Sequence, residues 1–358
     1  MHDCAGEVLA HHDEEVTLPQ PHRTSMRERR DVNRDVLKKG LMDQDKPVPR
    51  EFKSQGSYAM KTMVQHPEQK YDIDDGVYFD SKSLVDEGNN EMTALDARQM
   101  VRDGIDDGSF KKPPKVRKHC VRVYYQAGYH VDLPVYRRIA TKDAFDNEIH
   151  HHELASGEWR RSDARDVTAW FEKQNDVQSP DDKKNGGQLR RITRQIKRYA
   201  RSRDSWDSQI LSGFGITKLV TECFHGHADR EDQALYETMA AICNRLNLSL
   251  AVEHPITPNE TITKGIDDPK ARFLRDRLSE AIDKLAPLFG PDCSREKALK
   301  CWDKVFNTSF FSNRIEEATE GQSKAALDAP AILTMGLLSD EAAATQTAVR
   351  KEGGGRYA

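Results

Sequence analysis

Residues 51–80 read EFKSQGSYAMKTMVQHPEQKYDIDDGVYFD, and the fold turns on how this stretch divides. In an extended chain successive side chains point to opposite faces, so Asp72 and Asp74 project to one side while Ile73 is free to enter a core. The VYF run at 77–79 continues the acidic segment as a strand. Two carboxylates so placed repel unless a cation stands between them. Hard oxygen ligands of this kind suit Mg²⁺ or Mn²⁺, which are held by a few carboxylates and by substrate phosphates. Upstream, Gly56 permits close backbone approach, and Ser57 offers a hydroxyl and an amide at the start of a predicted helix, where free N–H groups and the helix dipole favour phosphate. Taken singly, either piece also reads as a surface turn.

The stretch 116–137 reads as a β-hairpin: Val121, Val123 and Tyr125 alternate with polar neighbours, a Gln-Ala-Gly turn follows, and HVDLPVY resumes the alternation. Asp132 shares parity with His130 and Pro134, opposite Val131, Leu133 and Val135, and so supplies a third carboxylate. Gly-Ser, then D-x-D on a strand, then a distant Asp on a second strand is far more specific than any one of them. Arg122 shares a strand face with Tyr124 and points either toward the same site or into solvent.

An amphipathic helix is expected over 24–43, carrying Val32, Val36, Leu37 and Leu41 and ended by Pro47 and Pro49, and another over 91–103. Ser162 is placed to cap a helix bearing Val167, Trp170 and Phe171, and QNDVQSPDDKKNGG at 174–187 breaks the chain. Beyond it the signals are nearly all helical: Leu189, Ile192, Ile196 and Tyr199 form one stripe, Phe273, Leu278, Ile282 and Leu285 another, Ala298, Trp302 and Phe306 a third. The fold class is therefore α+β, a mixed-sheet lobe followed by an α-helical lobe. The expected division is a flexible N-terminus at 1–22, a core with its N-terminal helix at 23–160, a helical domain at 161–335 and a flexible polar tail at 336–358. Arg190, Arg194, Lys197 and Arg201 recur as a basic stripe beside the apolar one, either solvated or reaching phosphate. The His150-His151-His152 run reads as a surface loop, since consecutive side chains diverge and cannot all bind one ion.

Of 358 residues, 37% are hydrophobic and 32% charged, and no apolar run approaches the ~20 needed to cross a bilayer. The N-terminal residues lack a basic lead and an apolar core, so no membrane partner and a cytoplasmic location are expected. Six cysteines without a C-x-x-C pair fit reduced thiols. With 55 Lys+Arg against 59 Asp+Glu, the net charge of -4 argues against coating a duplex, and no stable nucleic-acid partner is expected.

At SQGSYAMKT (54–62), YDIDDGVYF (71–79), HVDLPVY (130–136), EWRRSDARDVTAWF (158–171) and LRRITRQIKRY (189–199), the chain resembles the polymerase-β-like nucleotidyltransferases, and more narrowly the bacterial cGAS/DncV-like cyclic-nucleotide synthases of antiphage defence. The resemblance implies an active cleft between the lobes that accepts ATP and GTP and makes cyclic GMP-AMP through a linear dinucleotide, with two Mg²⁺ ions, replaceable by Mn²⁺, held by Asp72, Asp74 and Asp132. It places Gln55, Gly56 and Ser57 against donor phosphates, Lys197 on the triphosphate and Ser212 beside it from the helical lobe. Arg194 and Arg122 are weaker candidates for substrate contact. Met60 departs from the pattern, standing where the dinucleotide cyclases of this family have an aromatic residue. The GGGRYA terminus, ending at Ala358, resembles tails joined to targets by ubiquitin-transfer-like enzymes, or is a plain disordered end. Competing functions are a linear oligonucleotide synthase, of the oligoadenylate or RNA-tailing type, and a catalytically inactive nucleotide sensor.

Overall fold

The computed structural model describes residues 1–66, 71–125, 129–179 and 186–315. The Gln-Ala-Gly turn at 126–128, part of the break at 174–187, the tail and Ala358 lie outside them.

The centre of the sheet lobe is β2 (Asp72–Asp80). Its first residues run parallel to β5 (His130–Leu133) and its last parallel to β6 (Val135–Lys142). Pro134 separates β5 from β6, and its carbonyl accepts from Val77 N–H at 2.8 Å, so the pair tracks β2 as one interrupted run. β1 (Glu51–Gln55) lies antiparallel on β2. β3 (Lys115–Val116) and β4 (Val121–Tyr124) extend the sheet beyond β5, and β7 (Glu148–Ala155) and β8 (Trp159–Arg161) extend it beyond β6. The expected hairpin is present as β4 and β5. The His150–His152 run expected as a loop belongs to β7, where cross-strand pairing with β6 uses its alternation.

Alternation decides which face is covered. Ile73, Val121, Val123, Val131 and Leu133 are buried in one cluster with Leu37, Leu41, Ala97, Val101 and Ile105. The last five come from α2 (Gln20–Asp43) and α4 (Ala94–Ile105), the latter opened by a Thr93–Asp96 capping box. These helices touch backbone to backbone: a Cβ on Gly40 would stand 2.0 Å from the Gly104 carbonyl oxygen. The other sheet face is left for Asp72, Asp74 and Asp132.

A second cluster fills the helical lobe, formed by α5 (Ala164–Gln178), α6 (Gln188–Ala200), α7 (Gly213–Cys223), α8 (Glu231–Leu248), α9 (Pro269–Leu285) and α10 (Arg295–Phe306). Asp163, not Ser162, caps α5, its carboxylate accepting from Arg165 N–H at 3.0 Å. No helix among the described residues is long and apolar enough to cross a membrane.

The largest departure from expectation is residues 1–22, read as flexible. They contain α1 (Ala5–His11), a π-helical turn over His12–Val16 and the start of α2. Cys4 and Val8, one helical turn apart, are buried in the helical-lobe cluster. His11 lies among Phe306, Phe310 and Phe311, with ring centroids 4.5, 5.2 and 4.9 Å away. Burial first, then the charges of Arg198 and His12, push its pKa down to about 3, so the ring is neutral and behaves as part of the core. The polar majority of this segment conceals a few anchoring residues. Val8→Ala is expected to lower stability by roughly 2 kcal/mol, from two buried methyls and the cavity they leave, measured by urea unfolding. An unchanged midpoint would mean the segment is not docked.

Candidate functional site

The parallel register sets Asp72 beside His130 and Asp74 beside Asp132, and the antiparallel register of β4 on β5 sets Arg122 beside Asp132. Cross-strand neighbours share a face, so Asp72, Asp74, Asp132, His130 and Arg122 all stand on the face away from α2 and α4. Asp75, the last acid of DIDDG, points the opposite way. It is fully buried, accepting from Arg34 Nε and Nη2 at 2.6 and 2.5 Å and from Ser54 Oγ at 3.1 Å, and so fastens β2 to α2 and β1.

The catalytic candidates are not equivalent. Asp72 is exposed, with Oδ1 at 2.7 Å from His130 Nε2, an ion-pair distance without hydrogen-bond alignment. Burial, followed by the negative charges of Asp132 and Asp72, pushes the Asp74 carboxyl up to about 6. Asp132 is nearly buried, and both its oxygens accept from Arg122, Nε to Oδ1 and Nη2 to Oδ2, each at 2.7 Å. Arg122 therefore faces the site as a counter-ion to Asp132. Asp72 and Asp74 line the cleft, whereas Asp132 and Arg122 line a shallower depression with Cys120. Among the described residues, no three His, Cys, Asp or Glu side chains close into a ready ligand set. The expected triad shares a face, and its third member is turned to an arginine.

The cleft, about 410 Å³, is also lined by Gln55, Gly56, Ser57, Met60, Lys197, Arg201, Gly213, Phe214 and His254. Gly56 has φ +60, and a Cβ there would meet Asp74 Oδ2 at 2.4 Å, so both backbone conformation and contact demand glycine. It opens α3 (Gly56–Ala59), which includes Ser57. Gln55 lines the cleft, but its side-chain amide is engaged: Nε2 donates to Tyr78 Oη at 2.9 Å and Oε1 accepts from Tyr136 Oη at 3.1 Å. The tyrosine rings stack at 4.5 Å. The Gln55 amide thus holds the Gly-Ser turn in place.

Lys197 comes from α6 and donates from Nζ to Thr62 Oγ1 at 2.9 Å, across to the sheet lobe. Burial, then Arg201 and Arg194, lower its pKa to about 7. An arriving phosphate would restore its charge. The remaining basic stripe corrects the phosphate-facing reading. α6 is surrounded by protein: Arg190 donates to Met60 O at 3.0 Å and to Glu172 at 2.5 Å. Arg194 is buried, outside the cleft lining, near Arg23, Arg190, Arg191 and Asp13, with burial lowering its pKa to about 10. Only Lys197 and Arg201 of the stripe line the cleft. Ser212 caps α7, its Oγ accepting from Gly215 N–H at 3.1 Å. Among the described residues, the α7 lining of the cleft is Gly213 and Phe214, so Ser212 stands beside the lining. Spacing arguments missed Phe214 and His254, the role of Thr62 at the end of the SQGSYAMKT stretch, and the pairing of Arg122 with Asp132.

Residues 50–136 match the family described as Cyclic GMP-AMP synthase DncV-like, nucleotidyltransferase domain, bearing out the resemblance. Vibrio cholerae DncV cyclic AMP-GMP synthase, solved with the linear intermediate 5′ pppA(3′,5′)pG, superposes with a TM-score of 0.67 at 16% identity, over 86% of this chain and 96% of that one. Escherichia coli DncV in its 3′-deoxy GTP bound form gives 0.59 at 18%, over 82% and 92%. The Bradyrhizobium diazoefficiens CD-NTase CdnG in complex with GTP gives 0.62 at 14%, over 88% and 98%. These likenesses show the fold.

Gly56→Ala is expected to retain the circular dichroism spectrum but to weaken nucleotide binding at least tenfold, because the Cβ displaces Asp74 or the turn; undiminished affinity by calorimetry would refute the close-approach role. Asp74→Asn bears on the clustered charge. The folded carboxyl titrates above its ordinary 3.8, so the native state binds more protons than the unfolded one between about pH 4 and pH 6. Stability therefore falls as pH rises through that window, and the deficit persists above it. In chelator, the variant should melt above the parent at pH 7.5, with the gap closing toward pH 4. A gap independent of pH would show that neither burial nor the neighbouring carboxylates disfavour the charged Asp74.

Proposed function

We propose that this chain is a nucleotidyltransferase that joins ATP and GTP through a linear dinucleotide into cyclic GMP-AMP, a second messenger of antiphage defence made in the cytoplasm. The observation that carries the reading is the placement of Asp72 and Asp74 on one face of β2 against the left-handed Gly56, within a DncV-like nucleotidyltransferase domain. The relatives support the substrate class: the Vibrio cholerae enzyme was solved with pppA(3′,5′)pG and with ATP and GTP, and CdnG with GTP.

Two Mg²⁺ ions, or Mn²⁺, suit the donor set. Burial, and after it the negative charges of Asp132 and Asp72, hold Asp74 above its ordinary range, a strain that a cation relieves. Asp72 and Asp74 would hold the ions, and Asp132 would join them on releasing Arg122. When bound, the ions supply neutralisation of phosphate charge and a lowered pKa for the attacking ribose hydroxyl. The chain's own residues do the positioning. Gly56 and Ser57 present backbone N–H groups and a hydroxyl to the donor phosphates, and Lys197, charged on their arrival, draws the leaving pyrophosphate. Arg122, once free of Asp132, lies on the same face for the acceptor nucleotide. A second passage of the linear product through the same cleft closes the ring.

One observation favours the inactive-sensor reading, the forked hold of Arg122 on Asp132. Incubation with labelled ATP and GTP in Mg²⁺, followed by phosphatase and nuclease digestion, separates the outcomes. The wild type is expected to give a phosphatase-resistant dinucleotide, and Asp74→Asn and Asp132→Asn to lose turnover by roughly a thousandfold or more while still folding. Phosphatase-sensitive oligomers would establish the linear synthase. Bound but unconverted nucleotide would establish the sensor.

A further inference from the structure

Phe214 and His254 line the same cleft as Asp72, Asp74 and Lys197, yet Phe214 has no group for phosphate or a hard cation and His254 carries no carboxylate or fixed charge. Phe214 follows Gly213 on α7, and a Cβ on Gly213 would stand 3.7 Å from Lys197 Cε, so Phe214 comes directly after the residue that packs against this lysine. Its ring meets that of His254 in a T-shaped contact, centroids 5.5 Å apart. Met60 lies in the same lining but is almost fully buried. The aromatic surface absent at Met60 is thus offered by the opposite lobe.

His254 is held more firmly than its position in a loop suggests. Its own N–H donates to Glu260 O at 2.7 Å, Ile262 N–H to Val252 O at 2.7 Å, and Val252 N–H to Thr263 Oγ1 at 2.9 Å. Arg160, in β8, reaches Glu260 at 2.9 Å and joins this loop to the sheet lobe. The imidazole is fixed as well. Ile256 N–H and Thr257 N–H both donate to Nδ1, at 3.2 and 2.9 Å. A ring nitrogen that accepts two N–H groups carries no proton, so the neutral ring has its hydrogen on Nε2. Protonating Nδ1 would set an N–H against two others. In keeping with this, burial, with Arg160 adding to it against the opposing pull of Glu260, lowers the His254 pKa.

We propose that Phe214 and His254 form the base-recognition subsite for the nucleotide whose phosphates lie against Lys197, Phe214 supplying a stacking face and His254 Nε2–H a donor to a base acceptor. The assignment rests on the nucleotidyltransferase reading and deepens it. A fixed donor selects a base edge that presents an unprotonated ring nitrogen or a carbonyl, as purine N7 and guanine O6 do, and disfavours an edge that presents only an amino group. Base stacking and one hydrogen bond to a preorganised donor are each worth about tenfold in affinity.

The test is calorimetric titration in Mg²⁺ with α,β-methylene analogues of ATP and GTP, and with tripolyphosphate as a base-free probe of the phosphate site. His254→Asn keeps an acceptor for Ile256 and Thr257 N–H while removing Nε2–H, and Phe214→Leu keeps apolar bulk while removing the ring. Each variant is expected to weaken at least one nucleotide about tenfold and leave tripolyphosphate within twofold. Unmoved nucleotide affinity in both variants, or a parallel loss of nucleotide and tripolyphosphate, overturns the assignment while leaving the nucleotidyltransferase reading intact. A wild type that binds neither nucleotide nor tripolyphosphate overturns both.

Discussion

The constraint on which this fold depends is the gathering of like charge on one face of a sheet. Asp74 lies beside Asp132 in register and two residues along the strand from Asp72. At an effective dielectric near 20, charges about 5 Å apart across the register repel by about 3 kcal/mol and charges about 6.5 Å apart along the strand by about 2.5 kcal/mol. Such a cost persists only where something opposes it. Arg122 forks onto Asp132, and His130 stands against Asp72. What remains adds to burial, the larger cause, in raising the pKa of Asp74. The sheet tolerates the face because its other side is covered by α2 and α4. Asp75 supplies a buried ion pair there, holding β2 rigid against the repulsion at its start.

Legibility in the sequence followed the range of the interaction. Strand parity is local, so the common face of Asp72 and Asp74, the opposed burial of Ile73 and the position of Asp132 could be read from alternation. The close backbone approach at Gly56 was legible because a Gly-Ser pair is a local signal, whereas its left-handed φ was not foreseen. Contacts formed by residues far apart in the chain could not be read this way. Arg122 was placed on one strand face with Tyr124, but whether that face met solvent or the site, and that Arg122 would pair with Asp132, depended on the strand pairing between β4 and β5. α6 misled because its arginines follow an amphipathic period, yet the lobe surrounds the helix, and Arg190 and Arg191 end on Glu172 and Glu231. The N-terminal segment misled because few of its residues are apolar, although Cys4 and Val8 are buried and His11, neutral in its aromatic surroundings, packs as a hydrophobe would.

The lobes are joined at the edges of the cleft by polar contacts. Tyr78 Oη donates to Asp163, which also caps α5 and takes the Arg165 guanidinium. Lys197 reaches Thr62, and Arg190 reaches the Met60 carbonyl. Each of these joins a residue near the Gly-Ser turn or β2 to a helix of the other lobe. Because hydrogen bonds fix direction as well as distance, they set the spacing between the Gly-Ser turn and Lys197. A purely apolar seam would permit sliding, and the reacting groups of a transfer reaction tolerate little of it.

This division of labour explains why the carboxylate face could be recognised at low sequence identity while the far wall could not. Metal and phosphate chemistry is common to all nucleotides, and it demands carboxylates and free N–H groups at fixed spacing on rigid strands. A base is distinguished by its edges and ring faces, which many side chains can address from many backbones. The wall opposite the sheet, with Phe214 on a helix start and His254 on a braced loop, can therefore vary without disturbing the register that aligns Asp72, Asp74 and Asp132. Replacing an aromatic beside the Gly-Ser turn with Met60 costs the carboxylate face nothing, provided a stacking surface is supplied from the other lobe. A relative's choice of bases is thus weak guidance to this chain's, even where the catalytic strands coincide.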